Sequence, residues 1–284
     1  MEILNSSKDL VQWRKKNDPS AMVGFVPTMG ALHRGHLSLI QRCVEESDVS
    51  IVSIFINPKQ FSPDEDLNSY PKNINADLEQ LKKLNVDAVF MPSADDIYDK
   101  DDTFAVNETL LSLKLEGKSR PHFFGGVLTV VSKLFNLVQP GKTFFGQKDA
   151  QQLLLVKKMV SDMKYPIDVI GCATVREKNG LAMSSRNEYL TKEEREDAAV
   201  IYGALVEAEK MWGGGCRNSK DIKGAMANIL KSKNNIVVDY ISIVHLSSLN
   251  EVGKIVNGRV LVSLAVFIRK VRLIDNIVLG KNNI

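Results

Sequence analysis

The stretch VPTMGALHRGHLSLI, residues 26–40, carries two of the chain's four histidines and decides how the rest is read. It joins the apolar run AMVGFV (21–26) to a segment in which Leu37, Ile40 and Val44 recur at spacings of three and four. That is the pattern of a strand, a turn and an amphipathic helix. Gly30 and Gly35 permit backbone conformations and close approaches that side chains would block. A helix N-terminus presents unpaired N–H groups and a partial positive charge, so the turn suits a phosphate. His33 and His36, three apart, can both face such a ligand and donate to phosphate oxygens as charge builds during a displacement. Two plainer readings stand beside this one: a pair of unrelated structural histidines, or a metal site. A zinc site needs at least three protein ligands, and no third histidine or nearby cysteine pair completes the set.

Outward from this stretch the alternation continues. The β-branched run VSIVSIFI (49–56) stops at Asn57-Pro58, a helical period covers 74–84, and the strand VDAVFM (86–91) stops at Pro92. A helical run at 127–138 ends before Pro140-Gly141, followed by a strand (143–145), a helix (149–162) and a strand (167–171). Strands separated by helices imply right-handed crossovers and a mainly parallel, doubly wound α/β sheet. After about residue 176 the pattern changes. Helices predicted at 191–212 and 219–230 flank the turn WGGGCRNS, and strand-like runs follow at 236–245, 259–268 and 271–279. Strands with short connections predict a small antiparallel sheet, hence domains of 1–176 and 177–284, the second a smaller α+β domain.

In an open parallel sheet, ligands bind beyond the carboxyl ends of the strands, which is where PTMGALHRGH falls. Two later segments have the same character. FFGQKDAQQ (144–152) is a strand, a turn at Gly146, and then Lys148, able to neutralise phosphate, with Asp149 able to cap a helix. LAMSSRNEYL (181–190) sets Ser184, Ser185 and Arg186 as donors before a helix. Each also reads simply as helix-start chemistry. PGKTFF contains the Gly-Lys-Thr of a P-loop, but position 136 is Asn where that loop needs Gly, and a strand rather than a helix follows.

Composition narrows the classes. At 284 residues, with 44% hydrophobic, 25% charged and 7% aromatic residues, the chain can form one large or two ordinary domains. A net charge of +3 gives no electrostatic footprint for nucleic acid. No 18-residue apolar run is available to span a membrane. MEILNSSKDLVQWRKKND, at the start, is mixed polar and amphipathic and lacks the apolar core of a signal peptide. Cys43, Cys172 and Cys216 lie far apart without a C-x-x-C, so a cytoplasmic protein with reduced, buried thiols is expected.

PTMGALHRGHLSLI, FINPKQF, LNSYPK, LEGKSRP, VSKLFNLVQP, FFGQKDAQQL, GLAMSSRN and RLIDNI, in that order, cover nearly the whole chain. Together they resemble the pantoate–β-alanine ligases, of the nucleotidyltransferase superfamily marked by an HIGH-type segment and a KMSKS-like loop. The resemblance implies a Rossmann-like domain over 1–176 that binds ATP and pantoate, a C-terminal lid domain over 177–284, and a homodimer. It also implies a two-step reaction. The pantoate carboxylate attacks the α-phosphorus of ATP with loss of pyrophosphate; β-alanine then displaces AMP. ATP is implied as substrate, with Mg²⁺ as its metal; no nucleic-acid or membrane partner is expected.

Carried over position by position, the resemblance makes His36, His33 and Lys148 catalytic. Met29, Gly30, Ala31, Leu32, Arg34 and Gly35 join the two histidines at ATP. Gly146, Gln147, Asp149 and Val175 are implied at the same nucleotide, with Met183, Ser184, Ser185 and Arg186. Gln60, Gln152, Arg120 and Tyr70 are implied at pantoate and β-alanine, and Asp77 at Mg²⁺. A neutral Gln satisfies hydroxyls and a carboxylate without placing another ion in a dry pocket. The chain departs from the family pattern twice. Where Arg-Pro-Gly-His-Phe is usual it has RPHFFGGV, so Phe123 stands in place of a histidine and His122 lies one position off. Where FGEKD is usual it has FGQKD, losing an acid at Gln147. Neither change touches His36, Lys148 or Gln60, so an active enzyme is expected, with His245 structural. Two rivals remain. An adenylyltransferase that stops at AMP transfer would need a basic pocket where this chain has Gln60 and Gln152. An RNA-binding relative is opposed by the near-neutral charge.

Overall fold

The computed structural model describes residues 1–63, 65–254 and 259–280. Two compact units emerge, the first formed by Met1–Gly146 with Gln151–Cys172, the second by Gln147–Ala150 with Ala173–Ile284. The first begins with strand β1 (Glu2–Leu4), helix α1 (Ser7–Lys16), β2 (Val23–Thr28) and α2 (Arg34–Glu45). Then come β3 (Val49–Ile54), α3 (Ile74–Lys83), β4 (Ala88–Phe90) and the one-turn helices α4 (Ala94–Ile97) and α5 (Glu116–Ser119). The remaining elements are α6 (Phe123–Val138), β5 (Lys142–Gly146), α7 (Ala150–Asp162) and β6 (Asp168–Cys172).

The six strands form one parallel sheet in the order β1-β4-β3-β2-β5-β6. This is the Rossmann-like doubly wound sheet, with β1 added at one edge. Strand β2 lies in its middle and is buried along most of its length, with Phe25 and Val26 fully covered, which is why its sequence is continuously apolar. Chain order reverses at β2: one neighbour is β3, the next strand along, and the other is β5, more than a hundred residues later. Ligands of doubly wound sheets bind at such a reversal, beyond the carboxyl ends of its strands. Helix α6 is buried almost all round and ends at Gln139, which takes a left-handed conformation (φ 50°) just before Pro140. The sequence pattern missed β1 and α1. Three residues are too few to show a period, and α1 buries only Leu10 and Trp13 behind a Ser6 cap.

In the second unit α8 (Lys192–Asp197), α9 (Val200–Gly213) and α10 (Ser219–Leu230) precede β7 (Ile236–His245), β8 (Val260–Ile268) and β9 (Val271–Leu279). The strands form an antiparallel sheet, β7-β8-β9, whose central strand is the most buried. Ile201, Leu205, Ile222 and Met226 of α9 and α10 share one core with Val262, Leu264 and Val266. The single helix expected over 191–212 is two helices. At Ala198-Ala199 the backbone stays right-handed, but its bonds tighten to i→i−3, from Ala199 N–H to Glu196 and from Ile201 N–H to Ala198. No Gly or Pro marks that junction.

Candidate functional site

The turn leaving β2 is built from backbone donors and a buried acid. Thr28 Oγ1 donates to Ser53 O (2.7 Å) and accepts the Gly30 N–H (3.2 Å). Gly30 (φ 81°) and Ala31 (φ 50°) are both left-handed. For Gly30 this requires glycine; a Cβ there would meet Ile54 Cγ2 at 3.0 Å and Asp77 Oδ2 at 3.1 Å. Asp77, on α3 and 2% exposed, accepts the Ala31 N–H at 2.9 Å and the Leu32 N–H at 2.7 Å, one on each carboxylate oxygen. Burial pushes its carboxyl above the usual range, against the pull of those two amides.

His33 is the N-cap of α2, and the two histidines close a capping box in the role usually taken by a hydroxyl and a carboxylate. His33 Nδ1 accepts the Gly35 N–H (3.1 Å), and His36 Nδ1 accepts the His33 N–H (3.4 Å). The rings stack with centroids 4.0 Å apart. An Nδ1 that accepts an amide hydrogen carries none of its own, so each neutral ring holds its proton on Nε2. Both rings are thus held by backbone amides beside the positive end of α2. Arg34 is exposed, while Met29 and Gly35 are half-buried.

Gln60 joins this group. It closes the short 3₁₀ segment Pro58–Gln60 after β3, and its Nε2 lies 3.0 Å from Met29 Sδ. Asn57, 1% exposed, fixes it from behind by donating to Gln60 Oε1 (3.2 Å) and Gly126 O (3.1 Å) and accepting the Tyr98 hydroxyl (2.7 Å). Arg120 donates to Gln60 O (3.3 Å) but spends its charge on Glu65, with two 2.6 Å contacts. Its guanidinium lies 3.8 Å from the Phe123 ring centroid, so the residue replacing the usual histidine stacks on the arginine. Tyr70 is buried edge-on to Phe61. On α7, the half-buried Gln152 side chain makes no hydrogen bond to another described residue, whereas its neighbour Gln151 is consumed by Glu116 N, Leu111 O and Lys114 O.

The remaining sequence-derived residues are ordered within the second unit, except Gly146, which ends β5 in the first. Gln147, Lys148 and Asp149 form a 3₁₀ turn, held by Asn276 Nδ2 donating to Gln147 O (3.0 Å) and Lys148 O (2.7 Å). Lys148 Nζ lies 3.6 Å from Asp149 Oδ1, and Gln147 Nε2 is buried without a partner among the described residues. Neighbouring Asp275, 1% exposed, pairs with Arg176, whose guanidinium stacks on Tyr202. Val175 O accepts the Met183 N–H (3.0 Å), bringing those two positions together. Ser184 caps the 3₁₀ segment Ser185–Tyr189 by accepting the Arg186 N–H. Buried Asn187 ties this loop to Ala182 O and to Glu177, which is itself held by Arg195. In the sequence Asn57 reads only as a turn signal with Pro58, and Asn187 and Asn276 carry no individual role. Among the described residues no group of three His, Cys, Asp or Glu side chains is placed to hold a metal ion. No described helix is long and apolar enough to cross a membrane.

A family model described as Pantoate-beta-alanine ligase matches residues 2–278. The chain belongs to the pantoate–β-alanine ligase family. As a ligase of this family it uses ATP to join pantoate to β-alanine through an amide bond. A Pseudothermotoga lettingae pantothenate synthetase is 49% identical over 259 residues, covering 91% of this chain and 92% of the relative. One from Thermotoga neapolitana is 46% identical over 281 residues, covering 99% and 100%. Among solved structures, the Thermus thermophilus pantothenate synthetase superposes with a TM-score of 0.92 at 40% identity, covering 98% of this chain and 99% of that one. The Francisella tularensis ligase, solved with beta-gamma ATP and β-alanine, gives a TM-score of 0.81 at 37% identity, covering 98% and 97%.

Proposed function

We propose that the ligation proceeds through pantoyl adenylate and that the histidine turn is its first catalytic element. A pantoate carboxylate oxygen attacks the α-phosphorus of ATP, the bond to the β-phosphate oxygen breaks, and pyrophosphate leaves. The unprotonated amine of β-alanine then attacks the acyl carbon, AMP departs, and the amine sheds a proton. The observation that carries this reading is the pair of Nδ1 atoms tied to backbone amides, which fixes both imidazoles at the start of α2 before substrate arrives, with the proton of each neutral ring on Nε2. ATP would be met by residues 29–36, by Gly146, Gln147, Lys148 and Asp149, and by Val175 with residues 183–186. That the Francisella ligase was solved with beta-gamma ATP and β-alanine supports those two compounds as ligands of this chain. Gln60, already oriented by Asn57, and Gln152 are suited to the pantoate hydroxyls and carboxylate. Arg120, held by Glu65, would act there by fixing the Gln60 carbonyl, and Tyr70 by packing the same wall.

The donor set does not fit a protein-held magnesium. Asp77, the acid implied by the resemblance, has an amide on each oxygen and almost no exposure, whereas Mg²⁺ keeps an octahedral shell with several waters. A cytoplasmic homodimer completes the reading. Phe104, Leu110 and Leu113, exposed by 90%, 70% and 62%, supply apolar surface for a second copy.

Mixing enzyme with ATP, magnesium chloride and pantoate alone tests the chemistry. A burst of about one pyrophosphate per site, then a stall relieved by β-alanine, is expected. No pyrophosphate before β-alanine is added would defeat the adenylate.

A further inference from the structure

We propose that Asp77 is a positioning residue for the reaction, holding the turn after β2 in the left-handed shape that sets His33 and His36 at the start of α2. The inference rests on the catalytic reading of those histidines. Three observations carry it. First, the N–H groups of Ala31 and Leu32 converge on the two oxygens of a single carboxylate, at 2.9 and 2.7 Å. Successive amides in a tight turn form a concavity for an anion, and here the chain supplies the anion itself. Second, Ala31 sits at φ 50° with a Cβ, directly after Gly30 at φ 81°. A non-glycine residue keeps that conformation only where its surroundings impose it, and the Asp77 bonds are what impose it. Third, Leu32 leads directly into His33, whose cap position and ring orientation depend on where the turn delivers the chain. Helix α3 therefore acts as a buttress, with Asp77 carrying the contact, and the carboxylate works through two peptide groups without touching substrate.

The experiment measures kcat, KM for pantoate and the magnesium concentration for half-activity, using magnesium chloride, for Asp77→Asn, Ala31→Val and the double variant Asp77→Asn/Ala31→Gly. The amide of Asp77→Asn keeps one acceptor and turns its other end into a donor facing an N–H. Ala31→Val leaves the carboxylate intact but places a β-branched residue where φ must be positive, so it tests the idea even if Asp77→Asn fails to fold. In both single variants kcat should fall by about 10- to 100-fold, as small misplacements of catalytic groups do. The magnesium requirement should not move. Glycine at position 31 accepts positive φ without penalty, so the double variant should recover part of the loss. A raised magnesium requirement, with activity restored by excess magnesium, would make Asp77 a metal ligand and overturn the proposal. So would wild-type kcat in Ala31→Val, or a double variant no better than Asp77→Asn. His36→Ala is measured alongside. If it turns over normally, the catalytic reading of the histidines has failed; if it is slow while Asp77→Asn and Ala31→Val run at full rate, only the positioning inference has.

Discussion

Replacing His36 by Ala removes one fixed Nε2–H donor, and pyrophosphate release should slow by roughly 10²- to 10³-fold in a single-turnover assay. His33→Ala should add a loss of stability of about 1 kcal/mol, seen in a denaturant titration, because the same ring caps α2. Gln60→Ala belongs to the other substrate. It should weaken pantoate binding in calorimetry and leave ATP binding nearly unchanged; equal losses would point to general damage to the pocket. At this scale the sequence disclosed the histidines, because a strand, two glycines and a helical period bracket them within fifteen residues. It could not disclose that Asp77 grips Ala31 or that Asn57 reaches Gly126. Those partners lie 46 and 69 positions apart, and only the folded chain brings them together.

Among the elements, β9 shows how a strand can shape a distant turn. Asn276 donates two hydrogen bonds to the carbonyls of Gln147 and Lys148, so Asn276→Ala leaves both acceptors without this donor. A loss of about 1–3 kcal/mol is expected in thermal or chemical unfolding. Asn276→Asp should be worse, since a carboxylate would face two carbonyl oxygens. Strands β7 and β9 were legible to the residue because their alternation is long and their ends are marked by turns. The α8–α9 junction was not, since Ala198 and Ala199 are good helix formers and only the bonding pattern changes there. Helix α1 escaped because its short apolar face is diluted by six charged or amide side chains.

On the scale of the whole molecule, the thiols and the apolar surface give two tests. Burial raises the Cys43 thiol to about 12 and pushes Cys172 up as well, while Cys216 is partly exposed. Iodoacetamide at pH 8 should therefore add one label to the native protein and three after denaturation, counted by mass spectrometry. For the proposed homodimer, Phe104→Asp should shift the light-scattering mass towards a monomer, and an unchanged dimer mass would take Phe104 out of the contact. The strand order also governs synthesis. Strand β2 can zip to β3 soon after both leave the ribosome, but its other side stays open until β5 emerges, more than a hundred residues later. At ribosomal speeds that wait is on the order of ten seconds. For that interval the nascent chain carries an apolar half-sheet with one unpaired flank, which makes it a client for whatever holds growing chains apart.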